Sequence, residues 1–171
     1  MMRGPHRESH AAFNFLLDYV PGWKLAYRPI GLIQYQLFIP AERAAATMER
    51  VMEMSRAAGL PPYLAVFKRH RPDDFLMSYA VDGYSLALDY RVTLANRERV
   101  WELTHRMDEV VLEAGGRFYF AKDSTLQRGS VERFLPSERL EAFMALKQRC
   151  DPENLLQTEL SRRLFVANPT G

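Results

Sequence analysis

The chain has 171 residues, 47% of them hydrophobic and 26% charged, with a formal net charge of +2. This length suits one domain with its own core, and the small net charge gives no electrostatic case for a nucleic-acid partner. A single cysteine, Cys150, excludes an internal disulfide framework and a thiolate zinc cluster. No apolar run approaches the roughly 20 residues of a membrane span, and the polar start lacks a signal-peptide core, so we expect a cytoplasmic protein.

The first strand is predicted after a lead-in of thirty residues. The lead-in contains a short apolar stretch, Phe13 to Val20, and we expect one domain over residues 31–171. Gly31 to Ile39 is rich in β-branched, aromatic and aliphatic residues, and Pro40 closes it. Because side chains alternate across a strand, one face is predicted to enter the core. The other face is mixed and contains Leu32, Gln34, Gln36 and Phe38.

A helix and three strands are predicted next. Ala41 to Ala58 follows the helical period, with a core stripe of Ala44, Met48, Val51, Met52 and Ser55. The three strands are Tyr63 to Arg69, Phe75 to Ala80 and Tyr84 to Val92, with a hairpin-type turn at Asp82-Gly83. In the last strand the apolar residues alternate with Ser85, Ala87, Asp89 and Arg91. This alternation indicates a sheet with one covered face and one open face.

A second long helix is predicted from Arg97 to Ala114, with Asn96 as its N-cap and Gly115-Gly116 as its stop. Its stripe consists of Val100, Leu103, Met107, Val110, Val111 and Ala114. A short strand from Arg117 to Phe120, a helix capped by Ser137 and running to about Gln148, and a tail from Asp151 complete the chain. The pattern predicts an α+β fold: a ferredoxin-like antiparallel sheet with both long helices on one face, plus the C-terminal helix and tail.

The sequence contains none of the common catalytic motifs. The chain has no glycine-rich phosphate loop, nucleophile elbow or paired-histidine zinc helix. His6 and His10 have metal-ligand spacing without a third ligand, so no metal site is predicted. His70 and His105 are interpreted as surface histidines, and Cys150 as a thiol without a catalytic role.

The open face of the sheet is the remaining candidate site. Gln34 and Gln36 place four hydrogen-bonding groups on one side of one strand. Lys68 ends the second strand, and Lys122 follows Tyr119 just past the last one. From the residues alone, each of these side chains is also typical of an ordinary polar residue that faces solvent.

Five segments in register resemble the FAD-linked oxidases of the vanillyl-alcohol oxidase type. They are the strand Gly31 to Pro40, the lysine-bearing Ala65 to Lys68, the segment Asp82 to Tyr90, the aromatic motif Gly115 to Ser124, and the ending Asp151-Pro152 with Leu160 to Leu164. The resemblance runs from about Gly31 to Phe165. It implies a two-domain flavoenzyme in which this chain is the C-terminal substrate, or cap, domain lying over the flavin.

The resemblance also implies roles for the polar residues. Gln34, Gln36, Lys68 and Ser85 would line the substrate pocket. Tyr119 and Lys122 would lie where flavin and substrate meet and would act in catalysis and in binding the cofactor. The implied reaction oxidises a sugar, a polyol or a lipid-linked alcohol by hydride transfer to FAD.

The chain departs from the family pattern in two ways. Ala65, Ser85 and Ala87 stand where a family member has asparagine, asparagine and cysteine, so we expect a smaller and less polar pocket there. The family's FAD-binding region is larger than these 171 residues, and none of them matches it. We therefore expect an FAD-binding domain or chain as a partner, and no oxidation by this chain alone.

Two further expectations follow from the open face. Without a flavin domain it would be partly apolar and wet, so a homodimer through the exposed sheet is predicted. The alternative function is a stand-alone ferredoxin-like module that binds a small molecule or regulates a partner without catalysis, because many folds of this plan do no chemistry.

Overall fold

The computed structural model describes residues 31–165 and, before them, only residues 7, 9–11, 21–22 and 25. The predicted apolar stretch Phe13 to Val20 and His6 lie outside the described residues, and the division of the chain at residue 30 stays a prediction. The long elements are β1 (Leu32–Pro40), α1 (Ala41–Ala57), β2 (Leu64–His70), β3 (Gly83–Arg91), α2 (Arg97–Glu113) and β4 (Arg117–Phe118). A 3-10 turn (Phe120–Lys122) and three helices follow: α3 (Ser130–Phe134), α4 (Ser137–Cys150) and α5 (Glu159–Leu164).

The four strands form one sheet in the order β2-β3-β1-β4, and every neighbouring pair is antiparallel. The connection β1-α1-β2 leaves space for β3 between its two strands, which is the split β-α-β arrangement. The predicted ferredoxin-like α+β fold is therefore confirmed.

The predicted strand from Phe75 to Ala80 and the hairpin at Asp82-Gly83 are wrong. Both edges of β3 are already paired, by β2 and by β1, so that no edge of β3 remains for a further strand. Residues 71–82 form a loop, and the Arg117 side chain donates to the carbonyls of Ser78 and Ala80 at 3.2 Å each. An arginine thus satisfies backbone groups that a strand partner would have bonded.

The core lies between the sheet and the two long helices, as predicted. The inward face of β1 and the whole predicted stripe of α2 are buried in it. In α1 the stripe is correct except for Met52, which is 37% exposed, while Thr47 is buried instead. Met52 lies about 100° around the helix from the fully buried Val51, which turns its side chain toward solvent.

The helix boundaries match, but two predicted caps work differently. Asn96 occupies the N-cap position of α2, yet its side chain accepts from the Thr93 amide at 2.7 Å and fixes the preceding turn. Ser137 is the first residue of α4, and Pro136 holds the N-cap position. The stop after α2 is confirmed, because Gly115 has a φ of +70°.

Gly83 is expected to be intolerant of any side chain. A Cβ at Gly83 would lie 2.0 Å from the Ile39 carbonyl oxygen, a backbone atom of the paired strand. Replacing Gly83 by alanine should therefore lower the free energy of unfolding by about 2–3 kcal/mol, measured by urea denaturation. Gly115→Ala is the matched control, because no described atom lies within 4 Å and only the left-handed backbone resists, at about 1 kcal/mol. Equal losses in the two variants would contradict the close approach at Gly83.

Within the part of the chain that the structure describes, no helix has the length and apolar character needed to cross a membrane. A cytoplasmic location stays a prediction.

Candidate functional site

The polar face of the sheet, opposite the helices, brings four of the six predicted site residues together. Cross-strand pairing places Ser85 of β3 between Phe38 of β1 and Lys68 of β2. Gln34 pairs with Asp89 in the same way, and Gln36 lies between Gln34 and Phe38 on the same face of β1. The predicted grouping of Gln34, Gln36, Lys68 and Ser85 on one surface is therefore what the register produces.

This face is open only in part: Lys68 is exposed and Gln34 is half-buried, but the middle of the face is covered. Phe38 is only 1% exposed, and Gln36, Ser85, Ala87 and Asp89 are buried as well. Aromatic rings cover the β4 side of the face. The Phe38 and Tyr79 ring centroids lie 4.7 Å apart, and those of Tyr79 and Tyr119 lie 4.5 Å apart. The predicted wet apolar patch is wrong at Gln36 and Phe38, because both side chains are buried and Tyr79 of the loop 71–82 packs on the Phe38 ring. The homodimer stays a prediction.

Two amide oxygens on this face are buried without a partner among the described residues. Gln34 donates from Nε2 to Asp89 Oδ1 at 2.5 Å, and Gln36 donates from Nε2 to Ser85 Oγ at 3.4 Å. The Oε1 atoms of both glutamines are left buried and unbonded. Buried acceptors are normally satisfied. Both glutamines border a crevice beside Tyr119 that holds about 10 Å³, so a ligand would have to widen it to reach the two oxygens.

Lys122 reaches the same face from the turn after β4. The Lys122 amide donates to the Tyr119 carbonyl at 3.0 Å, and this turn places Nζ 5.9 Å from the centroid of the Tyr119 ring. Burial and then the nearby Lys68 cation lower the pKa of Lys122, while the Asp89 carboxylate acts in the opposite direction. The two lysines and Asp89 are thus electrostatic neighbours, and the site carries two cations beside two amides.

Three residues of this face were not predicted as site residues, His70, Asp89 and Tyr79, although alternation had already placed Asp89 on the open face. His70 is half-buried, with Nε2 at 2.8 Å from Ser85 Oγ, so its interpretation as a surface histidine is wrong. The sequence did contain a signal for two of them, because His70 follows Lys68 by two residues and Asp89 alternates with the core residues of β3. Tyr79 lies in the loop 71–82, for which strand periodicity carries no information.

Two of the predicted departures, at Ser85 and Ala87, lie on the polar face, but the third does not. Ala65 pairs with Leu88, which puts its side chain on the opposite, helix-facing side of the sheet from Lys68. The expectation that Ala65 shrinks the pocket is therefore wrong. Ser85 is fully buried, so its hydroxyl reaches a ligand only through its neighbours.

The remaining candidates lie away from this face. His105 is half-buried and its Nε2 lies 2.9 Å from the Thr125 carbonyl oxygen, so it too is not a simple surface histidine. Cys150 is exposed at the end of α4. Among the described residues no group of three or more histidine, cysteine, aspartate or glutamate side chains could hold a metal ion.

Comparison with known proteins identifies a relative over most of the chain. The chain is 30% identical over 153 residues to decaprenylphosphoryl-beta-D-ribose oxidase of Mycolicibacterium smegmatis. The match covers 89% of this chain and 32% of the relative, so the chain spans about a third of the relative's length. No protein-family model matches the chain. The resemblance to an FAD-linked oxidase, and to this kind of oxidase in particular, is confirmed over nearly the whole chain.

Proposed function

We propose that this chain, a relative of decaprenylphosphoryl-beta-D-ribose oxidase, is the C-terminal substrate domain of a flavin-dependent oxidoreductase. The substrate would be an alcohol, such as a sugar, a polyol or a lipid-linked alcohol. One observation supports this function most strongly. Two buried amide oxygens without partners among the described residues share one face with two lysines, and that face belongs to a relative of an oxidase. Hydroxyl groups of a substrate are the donors that such oxygens lack.

The residues present fit FAD. When bound, FAD accepts a hydride from the carbon that carries the hydroxyl. Lys122 is an exposed cation whose Nζ lies near the Tyr119 ring, and a cation held against the flavin edge would stabilise the negative charge that a reduced flavin develops. Lys122 and Tyr119 would therefore hold the flavin edge, and an FAD-binding domain or a separate chain would supply the rest of the cofactor's contacts.

The other residues of the face would bind and orient the substrate. Gln34 and Gln36 would each accept a hydrogen bond from a hydroxyl that does not react. Lys68 would hold an oxygen of the substrate near Lys122, and Lys122 would orient the reacting hydroxyl, whose proton leaves to water or to a base. Ser85 would act from behind Gln36, through their hydrogen bond.

The function can be tested by assembling the enzyme. Two assemblies are made. In the first, a chimera, this chain replaces the aligned segment of the M. smegmatis oxidase. In the second, this chain is mixed with an FAD-binding chain encoded next to it. A panel of sugars and polyols is added under anaerobic conditions. Reduction of the flavin is measured as the decrease in the absorbance of oxidised flavin. We expect this decrease only when both parts are present. Oxidation of an alcohol by this chain alone would contradict the proposal that a separate domain or chain must bind the FAD. Polyol binding by a flavin-loaded assembly that never reduces its flavin would favour a binding module without catalysis.

Replacing Gln36 by methionine tests the predicted acceptor. Methionine is similar in size but accepts almost no hydrogen bond, so the substrate KM of the assembled enzyme should rise about tenfold with little change in kcat. Arg56→Ala is the control, because the Arg56 side chain is 82% exposed on α1, away from the polar face. An unchanged KM for Gln36→Met would remove Gln36 from the binding site.

A further inference from the structure

A chain of hydrogen bonds runs across the polar face from β2 to β1. His70 Nε2 lies 2.8 Å from Ser85 Oγ, and Gln36 donates from Nε2 to the same oxygen at 3.4 Å. Ser85 is fully buried, and the Phe38 ring packs edge-on against His70 with centroids 4.8 Å apart. The three polar side chains are therefore held in place by β-sheet register and by an aromatic contact.

One assignment of the hydrogens gives each of these two bonds one donor and one acceptor and uses the Ser85 proton. The Ser85 hydroxyl has one proton, and it already accepts from Gln36. A neutral imidazole with the proton on Nδ1 leaves Nε2 as an acceptor for that hydroxyl proton. Burial, followed by the nearby Lys68 and Arg69 cations, lowers the pKa of His70 and so favours the neutral ring. The hydrogen bonds then run from Gln36 Nε2 to Ser85 Oγ and from the Ser85 hydroxyl to His70 Nε2, and Gln36 Oε1 is left without a partner among the described residues.

We infer that His70 is a positioning residue, which acts through Ser85 to hold the Gln36 amide with its nitrogen toward the sheet and its oxygen toward the ligand. Asp89 holds the Gln34 amide in the same sense, by accepting from its Nε2. Two buried amide oxygens without partners among the described residues thus lie on side chains that border the crevice, two residues apart along one strand and so about 7 Å apart at their bases.

This orientation selects the ligand by polarity. Two acceptors suit a molecule with two hydrogen-bond donors, such as two hydroxyls of a polyol or sugar, and disfavour one that offers only ether or carbonyl oxygens. If His70 did not accept the Ser85 proton, Ser85 could donate to Gln36 Oε1 instead, and the amide would turn to present its NH₂ group. This selectivity for the ligand rests on the proposed function. The directions of the hydrogen bonds among Gln36, Ser85 and His70, which produce the selectivity, do not.

The directions of these hydrogen bonds can be determined by NMR on the ¹⁵N-labelled chain without flavin or substrate. We expect His70 to be neutral at pH 7, with Nδ1 protonated and Nε2 bare. We also expect a nuclear Overhauser contact between the Gln36 side-chain NH₂ and the Ser85 β-protons. A proton on Nε2 in the native chain would overturn the inference, and this measurement needs no variant.

Two substitutions at His70 separate hydrogen bonding from packing. His70→Phe keeps a ring against Phe38 but lacks the acceptor, so the contact from the Gln36 NH₂ group to Ser85 should be lost. His70→Gln lacks the ring but can place an amide oxygen near the Nε2 position, so this contact should be kept. The Gln34 NH₂ group, bound to Asp89, should be unchanged in both variants. Retention of the Gln36 contact in His70→Phe, or equal loss in both variants, would overturn the inference while leaving the proposed alcohol oxidation untouched.

Discussion

Replacing Lys122 by alanine is expected to lower kcat of the assembled flavoenzyme at least about a hundredfold and to leave the domain folded. A fixed cation at the flavin edge stabilises charge that forms during hydride transfer, and the loss of one such group typically costs two to three orders of magnitude. Lys122 is exposed and lies in a short turn outside the hydrophobic core. Its removal should therefore leave the midpoint of urea unfolding unchanged.

The control for this substitution must remove a cation elsewhere. Arg56→Ala does so on the outer surface of α1 and should keep full activity. Lys122→Arg keeps the charge but changes its shape, so partial activity is expected. The measurement is the rate of flavin reduction at saturating alcohol, with the flavin content of each preparation verified first. A fully active, flavin-loaded Lys122→Ala enzyme would reject the assigned role.

Asp108 should make the chain less stable as pH rises. Its carboxyl is 3% exposed beneath β1 and accepts a hydrogen bond from Tyr35 at 2.9 Å. Burial raises the pKa of Asp108 to about 7, and the Tyr35 bond only partly opposes this. The folded chain then holds a proton that the unfolded chain has already lost between about pH 4 and pH 7. The stabilisation is complete below about pH 4 and is lost as pH rises through about 7.

Asp108→Asn isolates this effect, because asparagine can still accept from Tyr35 and stays neutral at every pH. A shift of about three pKa units corresponds to about 4 kcal/mol. The free energy of unfolding of the native chain should thus fall by about that amount relative to Asp108→Asn between pH 4 and pH 8. Urea denaturation at several pH values measures the difference.

Asp151 provides a control of opposite sign. The Lys147 ammonium at 2.7 Å, and then the amides of Leu155 and Leu156, lower the pKa of Asp151. Its stabilisation is present above about pH 4 and is lost on further acidification. Asp151→Asn should therefore be less stable than the native chain at pH 8, and the gap should close at low pH. A parallel response of the Asp108 and Asp151 variants would contradict the buried-acid explanation.

Much of the fold was predictable because burial leaves a periodic trace in the sequence. The stripe of α2 was correct at every position, and the inward face of β1 was correct because its core side is apolar throughout. Phe75 to Ala80 has the composition of a strand, but strand formation also needs an unpaired neighbour, and β3 had none to offer. Composition does not report which edges are already occupied.

The candidate site, too, was predictable from the sequence only in part. Alternation placed Gln34 and Gln36 on one face, and resemblance added Lys68, Ser85, Tyr119 and Lys122. Neither could show that Tyr79 folds over Phe38, that Asp89 and Ser85 take the two amide nitrogens, or that His70 closes the chain of bonds. These contacts join residues 15 to 55 positions apart, and periodicity describes only near neighbours.

Length, composition and charge by themselves determined that these 171 residues suit one small domain, because they set how much core the chain can bury. The order of apolar and polar residues determined both long helices and the four strands of the sheet, because each element must turn its apolar side inward, but it also predicted a strand at Phe75 to Ala80 that these residues do not form. Only the tertiary structure decided that the middle of the second face of the sheet is buried and that its two glutamines keep oxygens without partners among the described residues. Hydrogen-bond satisfaction depends on three-dimensional neighbours, which a linear pattern does not contain.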